Sequence, residues 1–184
     1  HQRATSHPMD RKSWMITLAI PFGLWGCADE EPAPKAACGE PADAFVMNDG
    51  QTSHTCDHVV GGPFGDLDAA AVDASDPPLA ENQHMFYTVM LPEDGGQHVG
   101  SITYRPPFAG TYRIHLSDDV PVEVTALDDG SATCNAANQS VDGCDGIDSA
   151  HFYTIEARRS YRIVLGPTDL AEVGMVIEEH IATQ

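Results

Sequence analysis

The sequence predicts an all-β fold, an antiparallel β-sandwich of jelly-roll type, and three observations carry that reading. Apolar residues alternate with period two over the C-terminal two-thirds of the chain, as in half-buried strands. Seven such runs recur at short, regular spacing, separated by Gly, Pro, Asn and Asp clusters. No comparably long stretch has the 3.6-residue period of an amphipathic helix.

The elements follow in order. His84–Leu91 is apolar on both faces and reads as a central strand, ended by the turn residues Pro92 to Gly96. Val99–Tyr104 and Thr111–Leu116 follow; in the latter Tyr112, Ile114 and Leu116 point inward, and Arg113 and His115 to solvent. In Val120–Leu127, Pro121 cannot donate to a ladder and marks an edge or a strand start. A polar loop over 128–150 precedes His151–Ile155, and Ser160–Leu165 and Val173–Glu178 close the domain. Residues 66–72 read as a short helix or a further strand.

Upstream of the strands the chain has a different character. Residues 1–8, ahead of Met9, read as an upstream extension and are left out of the fold reading. Arg11 and Lys12 precede the apolar run Trp14–Trp25, which Pro21 interrupts. As a helix that run would reach roughly 18 Å, too short for a hydrocarbon core of about 30 Å. A short apolar run behind a basic start reads as an export signal. Its end, Leu24-Trp25-Gly26-Cys27, resembles the lipobox of bacterial lipoproteins, with Trp25 larger than the usual occupant. The resemblance implies that Cys27 is lipidated and becomes the mature N-terminus. The expected organisation is therefore a leader and signal peptide over 1–26, a lipidated Cys27 with an acidic, Pro-bearing tether over 27–40, and a β-sandwich over 41–184. The protein is expected on the bacterial cell envelope, held to the membrane by lipid and facing periplasm or cell surface.

The net charge of −19 argues against a nucleic-acid partner, since phosphate backbones would be repelled. Cations or basic proteins suit such a surface better. Val89-Met90-Leu91-Pro92, Gly110 with Tyr112-Arg113-Ile114, and Ser160-Tyr161-Arg162-Ile163-Val164-Leu165-Gly166 resemble small β-sandwich domains of exported bacterial lipoproteins and secreted enzymes. That resemblance implies a fold and no activity.

Export to an oxidising compartment allows disulfides. With Cys27 lipidated, four cysteines remain, and Cys134 with Cys144, bracketing one polar loop, is the natural pair, contributing roughly 3 kcal/mol. Cys38 and Cys56 then either bond to each other or leave Cys56 free.

One cluster offers chemistry: His54-Thr55-Cys56-Asp57-His58. In an extended strand His54, Cys56 and His58 share a face, and imidazole and thiolate are ligands that Zn²⁺ and Cu prefer. A fourth ligand would come from His84 or His151. Zinc suits the mixed His/Cys set best; copper is second, with Met47, Met85 and Met90 as soft ligands. Cys56-Asp57-His58 with Gly62-Pro63-Phe64 also resembles a Cys-acidic-His…Gly-Pro-Phe element of small bacterial lipoproteins. No serine elbow, HExxH motif, P-loop or dinucleotide fingerprint is present, so catalysis is not expected. The function expected is a metal-binding lipoprotein without catalysis; the alternative is a cell-surface module that binds a protein or glycan.

Overall fold

The computed structural model describes residues 45–181, and these form a two-layer β-sandwich with one helix. The helix α1 (Asp49–Gly61) comes first. Its strands are β1 (Phe64–Asp68), β2 (Leu79–Ala80), β3 (Phe86–Met90), β4 (Glu93–Asp94), β5 (Gln97–Tyr104) and β6 (Gly110–Leu116), then β7 (Val122–Ala126), β8 (Asn135–Ser140), β9 (Ser149–Ile155), β10 (Tyr161–Thr168) and β11 (Glu172–Glu179). One sheet has six strands in the order β1-β3-β11-β6-β9-β8; the other runs β2-β5-β10-β7, with β4 paired to β5. From β5 to β7, and again from β9 to β11, successive strands change sheets, which is the wrapping of a jelly roll. All seven strands read from the alternation are present.

The sheets are mixed rather than purely antiparallel. β1 lies parallel to β3, and β2 parallel to β5, both at sheet edges. β7 is the opposite edge of the second sheet and starts directly after Pro121, where a residue without an N–H is tolerated. Residues 66–72 contribute the end of strand β1 and no helix. The polar stretch 128–150 is not all loop, because β8 pairs along β9. Its composition, Asn-Ala-Ala-Asn-Gln-Ser, lacks apolar alternation since an edge strand buries little.

The core lies between the sheets. Tyr112, Ile114 and Leu116 of β6 and Val173, Met175 and Ile177 of β11 meet Ile102, Ile163 and Leu165 from the other layer. Pleating then puts Arg113 and His115 of β6, and Val176 and Glu178 of β11, on the outer face of the six-stranded sheet. Solvent does not reach them: Arg113 is 3% exposed and His115 and Glu178 are 0% exposed. The expectation that Arg113 and His115 face water fails because residues 45–61 cover this face. Phe45 packs on Ala150 and Phe152, and Cys56 and Val59 of α1 pack on Ile147 and Val176. Among the described residues no helix is long and apolar enough to cross a membrane.

Candidate metal centre

His54 and His58 lie on a helix, not on a strand, and local chemistry explains why. Asn48-Asp49-Gly50-Gln51 is a capping box: the Asn48 side chain accepts the Gln51 N–H at 2.9 Å, and the Gln51 side chain accepts the Asn48 N–H at 3.1 Å. At the other end Gly62, at φ 72°, adopts a backbone closed to most residues and its N–H returns to the His58 carbonyl. A helix puts residues i and i+4 on one face, so His54 and His58 converge and meet edge to face at 4.7 Å between ring centroids. Cys56, at i+2, projects about 200° away.

Cys56 is therefore no ligand. It is disulfide-bonded to Cys144, which corrects both the assignment of Cys56 to the metal set and the pairing of Cys134 with Cys144. Cys134 is also disulfide-bonded. The local pairing fails because β8 runs extended between the two cysteines. Six extended residues span about 20 Å, whereas bridged cysteines need Cα atoms within about 7 Å.

Two further side chains of ligand type come from the sheet and the chain leading into it. His84 precedes β3 and its N–H bonds the Ile177 carbonyl of β11. It sits at φ 56°, in the left-handed region, where a non-glycine residue costs roughly 1–3 kcal/mol and often marks a functional site. Glu178 of β11 was not legible in the sequence as a ligand. One atom from each of His54, His58, His84 and Glu178 falls within 4.8 Å of the others, and this group could hold a metal ion. His54 Nε2 lies 3.3 Å from both His58 Nε2 and His84 Nδ1. Glu178 Oε1 lies 3.5 Å from His58 and His84 and 3.7 Å from His54. Four donors at 2.0–2.1 Å from a tetrahedral ion would stand about 3.3–3.4 Å apart. Five of the six edges thus already approach that size.

The environment of Glu178 aims one oxygen at this point. Oε2 accepts from Thr55 Oγ1 at 2.7 Å, Arg113 Nη2 at 3.0 Å and His115 Nε2 at 3.2 Å. Oε1 is buried and has no hydrogen-bond partner. Burial by itself would raise the carboxyl pKa, but the hydrogen bonds from His115 and Thr55, with the Arg113 charge, outweigh it and hold the group down at about 2. Burial pushes His115 towards its neutral form, against the pull of Glu178. A neutral ring with its proton on Nε2 satisfies that bond and leaves only a lone pair at the unpartnered Nδ1.

His58 is oriented in the same manner. Its Nδ1 lies 3.3 Å from the Gly62 carbonyl. A proton there leaves Nε2 as a bare lone pair facing the cluster, the arrangement usual for metal-bound histidine. Burial is uneven, with the Glu178 and His58 side chains 0% and 12% exposed and those of His54 and His84 53% and 46%. One side of the cluster opens to solvent. His151, the other proposed fourth ligand, is elsewhere on β9, bonded to Ser149 and Asn138. Of the methionines, Met47 and Met85 pack against apolar clusters. No protein-family model matches the chain, and no curated protein is similar to it.

Proposed function

We propose that this protein holds one Zn²⁺ at His54, His58, His84 and Glu178, on the bacterial cell envelope, without catalysing a reaction. The observation that carries the reading is Glu178 Oε1, a buried carboxylate oxygen without a hydrogen-bond partner, 3.5–3.7 Å from three imidazole nitrogens. Those distances are long for hydrogen bonds and suit edges of a coordination shell. Four protein donors fill a tetrahedron and leave no position for substrate, which favours holding an ion over hydrolysis. The disulfide at Cys56 removes the thiolate, so the donor set is borderline-hard and zinc fits it better than Cu(I). An acidic chain, at net −19, also concentrates cations near its surface.

The test is metal content after equilibration with zinc, copper, manganese and iron salts. About one zinc per chain is expected in the wild type. The partly exposed pair His54→Ala/His84→Ala is expected to lower affinity at least 100-fold without unfolding the sandwich. Stoichiometric zinc retained by that variant would exclude the site. Anchoring is tested separately, by incorporation of labelled palmitate that disappears in Cys27→Ala.

A further inference from the structure

We propose that the Cys56–Cys144 disulfide controls the affinity of this site, so that a dithiol reductant loosens the ion. The proposal rests on the metal reading above. Cys56 lies midway between His54 and His58 on α1, and its bond to Cys144 ties that helix to the chain between β8 and β9. Two of the four ligands ride on α1; the other two stay with the sheet.

Outside the His54 and His58 contacts at the site itself, few others hold the helix. Thr55 is its only buried residue, and its contribution is polar, through Glu178 and His115. In the core its apolar contact runs through Cys56 and Val59, which pack with Phe86 and Val141 on Cys144, Ile147 and Val176. Gln51 adds one hydrogen bond, to the Ile181 carbonyl. A helix of 13 residues is marginal in water on its own. The disulfide supplies the missing constraint by joining residues 88 apart in sequence.

Reduction proceeds by exchange. One sulfur of the dithiol attacks the bond, its second sulfur displaces the mixed disulfide, and the reductant leaves oxidised. Two electrons and two protons pass to Cys56 and Cys144, which end as thiols. With α1 untied, ordering His54 and His58 falls to the ion itself, and affinity drops. The coupling is reciprocal: an ion that favours the oxidised form makes that form harder to reduce by the same factor.

The experiment compares zinc affinity, by competition with a chromophoric chelator, in wild type and in Cys56→Ala/Cys144→Ala. The variant lacks the bond and offers no thiol to the ion. An affinity at least tenfold weaker is expected, with the β-sheet circular dichroism retained; equal affinities would overturn the proposal. Wild-type protein in graded thiol–disulfide buffers supplies a second reading that does not depend on the variant folding. Alkylation of Cys56 and Cys144, read by mass spectrometry, is expected to shift by about 30 mV for each tenfold of coupling when zinc is added. A midpoint unmoved by zinc also overturns it. Oxidised wild type that binds no zinc removes the metal reading instead, so the two failures are distinct.

Discussion

Glu178 is the residue on which the proposed centre turns, because its two oxygens have different surroundings. Oε2 is saturated by Thr55, Arg113 and His115, which leaves Oε1 to face the histidines. Thr55→Val removes one donor from Oε2 and leaves every ligand in place, so zinc affinity is expected to fall about 10- to 100-fold. Titration calorimetry checks this; an unchanged affinity would show that the carboxylate needs no such hold. Glu178→Gln removes the charge as well and is expected to lose more than Thr55→Val. His151 lies away from this cluster, against Ser149 and Asn138, and bears on stability. Burial lowers its pKa from 6.5 to about 4, outweighing Asp119, so between those values the unfolded chain takes up a proton that the folded one refuses. Its contribution, about 3 kcal/mol, is complete above pH 6.5 and is lost as the pH falls to 4. Replacement by Gln is expected to flatten denaturant stability across that window. The Glu178 contribution lies lower, between 4.5 and about 2, and the two are therefore separable by acid titration.

The helix is where sequence and structure part most sharply. Period-two reading of His54 to His58 puts Cys56 with the histidines; helical periodicity puts it with Cys144 and leaves the histidines together. The signal for a helix was present in Asn48 and Gln51, three residues apart, and in Gly61-Gly62. Without an apolar stripe between them, it was outweighed by the surrounding strand pattern. Asn48→Ala breaks the capping box and is expected to cost about 1 kcal/mol, lowering the melting temperature by roughly 2–5 °C. Zinc affinity should fall with it while the sheets persist. A variant with unaltered affinity would mean that the first turn of α1 plays no part in placing His54.

For the molecule as a whole, the division follows from what alternation can encode. Each strand with one apolar face announces itself, and the seven read from the sequence all take part in the sandwich. Parallel edge pairing at β1 and β2 and the polar strand β8 were hidden, because edges bury too little to leave a pattern. Arg113 and His115 were visible as outward-phase polar residues, which by local rules belong in water, and Glu178 only as the end of the last strand. Only the packing of residues 45–61 over that face turns them into a buried network. His54, His58 and His84 were legible as metal-ligand types from the sequence alone. That the fourth group able to face an ion beside them is Glu178, 120 residues from His58, and that Cys56 is bonded to Cys144 instead of joining them, was decided by tertiary structure. Ligand identity depends on side-chain direction and on separation in space, and neither is contained in spacing along the chain.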